Sequence, residues 1–411
     1  MKIEQITIQG FRGFREKITI ALHPNVTVFV GVNGSGKTSV LDGIAKLLEI
    51  GTNRFKGYKI ENIDINFFER YCLLEIHVLD DFINSWKLIM EKYVEFAHLS
   101  INEKLNSPVR YYFPLLVYYN INRNSKQEVS DKISSFNRRS RFDSNRLDKS
   151  FNTFSEFEGW FIKFENKENR IRLREDSNYR DKNLEVIRAA LQIFNQEIFD
   201  LSYEGSLYVD NIDESQSDSE SKLFIKKQGQ EIRLDSLSDG EKNVILMVCD
   251  IARRLLNSKS DLDGKGVVLI DEIELHLHPG WQRKLVPALT KVFPNIQFIL
   301  TTHSPQVLSN LKEENIRVIE DFKLVKEINP VYGEDSNDIL WNIFGVKKRP
   351  LHAEENFGNF YKLLETDQKK AKKALNELEA IYGAEHTEVK KAQLDYEFEF
   401  GEYKFSEDET D

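Results

Sequence analysis

Apolar and polar residues alternate along KIEQITIQGF and REKITIAL near the start of the chain, the pattern of half-buried β-strands. NVTVFVG, interrupted only by Thr27 between Val26 and Val30, reads as a buried strand instead. It runs into TSVLDGIAKLLEI, whose apolar positions recur at helical spacing. CLLEIHVLD and PLLVYYN predict further strands, the second too continuously apolar for a sheet edge, with Asn120, Asn122 and Arg123 at its mouth. These segments predict a β-rich first lobe over residues 1–123.

From Asn124 the character changes. FNRRSRFDSNR is basic and loop-like, whereas FNTFSEFEGWFIKFENK and NLEVIRAALQIFNQEIF have helical apolar spacing. With the acidic, serine-rich DNIDESQSDSESK, Asp210 to Lys222, they predict an inserted helical arm and a solvated loop over 124–222. Strand character returns in KLFIKKQGQEIRL, with Gln228-Gly229 suited to a hairpin turn. The helix NVILMVCDIARRLL and the apolar strands GVVLIDE and QFILT complete a second lobe over 223–345. Residues 346–411 form a helical extension dominated by TDQKKAKKALNELEAIYG and EHTEVKKAQLDYEFEF, broken at Gly383. No internal repeat is present.

Composition narrows the function classes. At 411 residues, with 40% hydrophobic and 30% charged residues, the chain can build two or three globular domains. A net charge of -10 argues against a generally sticky nucleic-acid binder but leaves room for a local basic face. Cys72 and Cys249 lie in apolar runs and read as buried thiols of a reducing compartment. MKIEQITIQGF lacks the apolar core of a signal peptide and no run reaches membrane-span length, so a cytoplasmic protein without a membrane partner is expected.

The candidate chemistry sits at strand ends. Gly31, Gly34 and Gly36 in GVNGSGKT fit G-x-x-x-x-G-K-[ST], in which glycine backbone hugs phosphate oxygens, Lys37 reaches the β/γ-phosphates and Thr38 ligates Mg²⁺. GVVLIDE ends in two carboxylates at the edge where a parallel sheet meets a nucleotide; Asp271 would hold the Mg²⁺ shell and Glu272 would polarise the attacking water. LSDGEK, Leu237 to Lys242, opens the next helix, either as an anion site or as a plain N-cap by Ser238 or Asp239. TTHSP puts His303 at another strand end, within reach of a γ-phosphate.

The order of these motifs resembles the ATP-binding-cassette superfamily, in its soluble branch related to SMC proteins and bacterial defence ATPases. The resemblance is strongest over residues 1–50 and about 230–310. It implies an α/β, ABC-type P-loop NTPase head that binds ATP and Mg²⁺. GVNGSGKT would be Walker A, with Gly31, Asn33, Gly34, Ser35, Gly36, Lys37, Thr38 and Ser39 around the nucleotide. VVLIDE would be Walker B, with Thr38 and Asp271 as metal ligands and Glu272 and His303 as the catalytic pair. LSDGEK would be the signature, its Ser238, Gly240 and Glu241 facing the nucleotide of a second copy in a head-to-tail homodimer or higher oligomer, and ELHLHP the D-loop region. FRGF, with Arg12, matches the segment beside the base, or is a simple strand-connecting turn. Two departures stand out: Asp239 replaces the usual transporter glycine, and no clear Q-loop glutamine is present, Asn120 or Asn122 being weak substitutes.

PLLVYYNINR, DEIELHLHPGWQRKLVPAL and YGEDSNDILWNIFGVKKRP look like the ATPase subunits of Septu and retron-associated defence systems, the PtuA type. That resemblance implies a separately encoded HNH nuclease as partner and, in retron systems, a reverse transcriptase and its RNA–DNA product. The region between Walker A and signature lacks sustained heptads. The stretch after TTHSP has no D-x-D cluster for a nuclease of its own. The competing class is a repair or recombination ATPase acting directly on DNA ends through RRSR with Phe136 and Phe142, a loop that reads equally as a solvated face.

Overall fold

The computed structural model describes residues 2–53, 71–80, 84–93, 97–102, 115–119, 153–199, 203–210, 222–227, 229–257, 262–325, 330–346 and 349–401. Asn120, Asn122, Arg123, the RRSR loop and nearly all of the acidic segment fall outside them, as does Gln228. The chain divides into two compact units, Met1–Phe344 and Gly345–Asp411.

In the first unit, β1 (Lys2–Gln9) and β2 (Ile18–Ala21) form the start of one sheet, and β3 (Val26–Val30) leads through the glycine loop to α1 (Lys37–Asn53). β4 (Tyr71–Asp80), β5 (Asn84–Tyr93) and β6 (Ala97–Asn102) complete an antiparallel five-stranded sheet in the order β2-β1-β4-β5-β6. β7 (Leu115–Tyr119) is followed by α2 (Thr153–Arg174) and α3 (Lys182–Ile198). A three-stranded sheet then runs β8 (Tyr203–Asp210), β9 (Lys222–Lys227) and β10 (Gln230–Arg233). The β9–β10 hairpin turns at Gly229, whose φ of 74° is the left-handed region glycine favours.

α4 (Asp239–Asn257), β11 (Gly266–Ile270), α5 (Pro279–Val292), β12 (Ile296–Thr301), α6 (Pro305–Leu308), β13 (Ile316–Glu320), β14 (Lys323–Leu324) and α7 (Ser336–Phe344) complete the unit. Its central sheet has the order β14-β13-β3-β12-β11-β7, parallel throughout except for β14. Both faces are covered, which explains the unbroken apolar runs. Val267 and Leu269 of β11 pack with α1 and the antiparallel sheet, while Val268 and Ile270 join the core made with α2 to α5.

PLLVYYN was expected away from an edge, yet among the described residues β7 is the last strand of the central sheet. The run is apolar because its two faces are buried, Val117 and Tyr119 in one core and Tyr118 in the other. Lateral hydrogen bonding and facial burial are separate properties, and only the second is written in side chains. The helices expected as an arm contribute Phe157, Phe161, Leu184, Ile187, Leu191 and Phe194 to the same core as α4 and α5. Cys72 and Cys249 are buried free thiols.

The second unit is a three-helix cluster: α8 (Leu351–Leu364), α9 (Gln368–Tyr382) and α10 (Thr387–Phe400). Its own core includes Phe357, Phe360, Leu375, Leu378, Val389 and Ala392. Gly383, at φ 88°, ends α9 where the sequence breaks the pattern. Among the described residues, no helix is long and apolar enough to cross a membrane.

Candidate nucleotide site

Parallel register brings the chemistry to one edge. Ile270 of β11 lies level with Leu300 of β12 and Tyr119 of β7, so the residues that follow converge beyond the carboxyl ends of the strands. The glycine loop after β3 enters the same crevice. Gly31, Gly34 and Gly36 have φ of 149°, 79° and 111°, and a Cβ on Gly31 would stand 2.1 Å from the Ile319 carbonyl oxygen.

Lys37 is buried, and its ammonium donates to the Gly31 and Val32 carbonyls at 3.0 and 2.9 Å. Burial lowers its pKa, against the raising effect of Asp271, Glu272 and Glu274. Thr38 Oγ1 donates to both oxygens of Asp271, at 3.1 and 3.0 Å, joining phosphate loop to strand end. Thr301 Oγ1 also donates to Asp271, at 2.5 Å, and accepts from the Glu272 N–H at 2.8 Å. Burial raises the Asp271 pKa despite the hydroxyls of Thr301 and Thr38.

The residues fit ATP and Mg²⁺ on their own geometry. Ser35 Oγ is buried without a hydrogen-bond partner, inside a loop in which Gly34 borders open space. No group of three or more His, Cys, Asp or Glu that could hold a metal exists among the described residues. Mg²⁺ in phosphate sites takes one or two protein ligands and completes its octahedron with phosphate and water, so Thr38 with Asp271 is a sufficient protein share.

Glu272 adopts φ 47°, uncommon for a residue with a side chain. The other non-glycine residues with positive φ among those described are Arg12, His276, Asp321 and Phe322, all in turns. Such backbone strain concentrates at working sites. Glu274 accepts from Thr302 Oγ1 at 2.7 Å and from the His303 N–H at 2.5 Å, which fixes the loop carrying His303. Burial and then the charge of Lys37 lower the His303 pKa, favouring the neutral imidazole.

Ser238 and Glu241 form a reciprocal cap at the start of α4. Ser238 Oγ accepts from the Glu241 N–H at 3.3 Å and donates to Glu241 Oε2 at 2.9 Å, while the Ser238 N–H donates to the same carboxylate at 3.2 Å. Lys227 binds the other oxygen of Glu241 at 2.6 Å. The plain capping expectation therefore holds within one chain, and Ser238 remains exposed at the helix start. Gly240 packs against the segment after Walker B, where a Cβ would meet the His276 carbonyl oxygen at 2.1 Å.

Arg12 pairs with Asp42 at 2.5 Å, and Tyr118 donates to the other Asp42 oxygen at 2.8 Å. Asn33 is exposed at the loop tip and Ser39 half-buried at the helix start. Asp42, Glu274, Thr301 and Phe322 were not anticipated. Asp42 had a signal, one helical turn after Thr38, and Glu274 another, two residues beyond Glu272. Phe322 had none: its ring covers the loop from a turn far along the chain, 5.3 Å from the Phe14 ring, and its N–H donates to the Ser35 carbonyl at 3.1 Å.

Residues 101–309 match the family model described as AAA domain, putative AbiEii toxin, Type IV TA system, and residues 1–155 match that described as AAA ATPase domain. The chain is 28% identical to a retron Vc95 probable ATPase of Vibrio cholerae serotype O1 biovar El Tor, over 86% of this chain and 81% of that protein. It is 28% identical to a retron Ec83 probable ATPase of Escherichia coli, over 85% and 77%. Septu protein PtuA of Bacillus thuringiensis is 25% identical, over 74% and 72%. An SMC head bound to the C-winged helix domain of ScpA aligns with a TM-score of 0.49 at 14% identity, covering 79% of this chain and 98% of that one.

Proposed function

Because the chain belongs to the AAA-domain family described as putative AbiEii toxin, Type IV TA system, and is an ATPase, we propose that two copies clamp ATP head to tail and thereby gate a separately encoded nuclease in antiviral defence. The observation that carries this reading is the pair of hydrogen bonds from Thr38 to Asp271, which joins the phosphate loop to the strand end bearing Glu272.

Lys37 would exchange the Gly31 and Val32 carbonyls for the β- and γ-phosphates of ATP, and the N–H groups of the glycine loop would hold the remaining phosphate oxygens. Thr38 and Asp271 would hold Mg²⁺, which when bound neutralises developing phosphate charge. Glu272 would take the proton of the attacking water, and neutral His303 would donate toward the γ-phosphate. Ser238 and Gly240 of the second copy would close the site. Opening and closing would then report nucleotide state to the partner.

The likeness to retron and Septu ATPases supports defence partners: an HNH nuclease subunit and, in a retron setting, a reverse transcriptase with its RNA–DNA product, in the cytoplasm. Glu272→Gln tests the chemistry. It should bind ATP normally, lose about 10²- to 10⁴-fold in phosphate release and accumulate as a closed dimer on sizing. Wild-type turnover in that variant removes Glu272 from the role of base.

A further inference from the structure

α2 separates its charges. Glu165 and Glu168 are buried on its inner face, where Arg188 of α3 meets both at 3.8 and 3.1 Å. Lys163, Lys167, Arg170 and Arg174 are exposed and follow one another at spacings of four, three and four residues, so they share a single outer stripe. In a chain of net charge -10, the stretch of this stripe from Lys163 to Arg174 carries no acid of its own helix. Lys167 lies 3.7 Å from Asp181, an acid already occupied in capping α3.

An apolar row runs beside the cations. Trp160 and Phe164 stack with centroids 4.5 Å apart, and Ile171 continues the row. Lys163, Phe164, Lys167, Arg170 and Ile171 line a surface hollow of about 390 Å³. Phosphate needs cations along a line, and an unpaired base needs an aromatic or apolar face beside that line. The stripe offers both over about 16 Å of helix, long enough for several phosphates.

We propose that the outer face of α2 binds single-stranded nucleic acid, its phosphates along Lys163, Lys167, Arg170 and Arg174 and a base against Phe164 in the hollow. A purely acidic protein segment would satisfy the cations but place no flat apolar group in the hollow beside Phe164, whereas every nucleotide carries a phosphate and a base together, which favours the nucleic acid. The stripe shares no residue with the ATP crevice, so it is tested without nucleotide.

The test is fluorescence anisotropy of a labelled oligothymidylate of about 20 nucleotides with the full-length chain. Wild-type binding should weaken with salt at a log–log slope of about -3, as four phosphate contacts imply for a single strand. Reversing Lys163, Lys167 and Arg170 to Glu should weaken binding at least tenfold, whereas reversing Lys369, Lys370 and Lys373 on α9 should change it less than twofold. Phe164→Leu keeps the hollow apolar and removes the ring; it should cost about fivefold or more. Circular dichroism and ATP binding of each variant, both unchanged, separate a lost site from a lost fold. The inference is overturned by absent wild-type binding, by unchanged affinity in the triple reversal or in Phe164→Leu, or by polyglutamate competing as well as unlabelled oligothymidylate.

Discussion

Gly240 occupies the first turn of α4 with no room for a side chain, since a methyl group would press on backbone rather than on a movable side chain. Gly240→Ala must displace His276, which already sits at φ 66° between Glu272 and α5. The expected cost is about 1–3 kcal/mol of stability, read by urea denaturation, with a parallel fall in ATP turnover. An alanine variant as stable and as active as wild type would show that the helix start and the loop after Walker B are not locked together. Glu165 provides a pH signature on the other side of the core. Burial, opposed by Arg188, raises its pKa from 4.5 to about 7. Over that interval the folded chain keeps a proton that the unfolded chain releases, so this carboxyl lowers stability as pH rises from 4.5 through 7. Glu165→Gln removes the penalty: stability should fall less between those pH values, leaving the variant on the order of 1–3 kcal/mol better placed at pH 8 than the wild-type trend. Parallel stability curves for the two proteins would contradict that assignment.

Elements with a strict period were readable and their neighbours were not. GVVLIDE and QFILT announce buried parallel strands with chemistry at their ends, and β11 and β12 deliver Asp271, Thr301 and His303 to one crevice. The lateral position of β7 escaped because burial of both faces looks the same at an edge as in the middle. α8 lies inside the extension expected to be helical but was not delimited, although Ala353, Phe357 and Phe360 recur at helical spacing directly after Pro350 and are buried on one face. The turn between β13 and β14 carries no local motif at all. Asp321 and Phe322 take φ of 45° and 60° there, and the ring of Phe322 fills the space above Gly13 and Gly36. Such a lid is set by packing between segments some three hundred residues apart, which periodicity cannot express. Phe322→Ala should loosen the phosphate loop, weakening ATP binding by about tenfold with a loss of about 3 kcal/mol in stability. Isothermal titration showing unaltered affinity would mean that the loop holds its shape without that ring.

At the scale of the whole molecule, nucleotide chemistry belongs to the unit ending at Phe344, and the three-helix unit has a separate core. The motif order announced a P-loop ATPase, but no hydrogen bond described within one chain joins the segment at the start of α4 to the phosphate loop, and in the proposed reading it becomes a site only in company. Within one chain Ser238 is occupied with Glu241, and Lys37 with the carbonyls of its own loop. The head-to-tail sandwich is therefore the claim on which the account turns. Lys37→Ala and Ser238→Arg would damage complementary halves, each inactive alone. Coexpressed with different tags and purified as a mixed dimer, they would place both defects at one site and leave intact Lys37 facing intact Ser238 at the other. Phosphate release by that mixed dimer is the deciding measurement. ATP bound at a closed site, with turnover well above either parent, is the predicted result. Verified mixed dimers that bind no ATP at a closed site would contradict the sandwich.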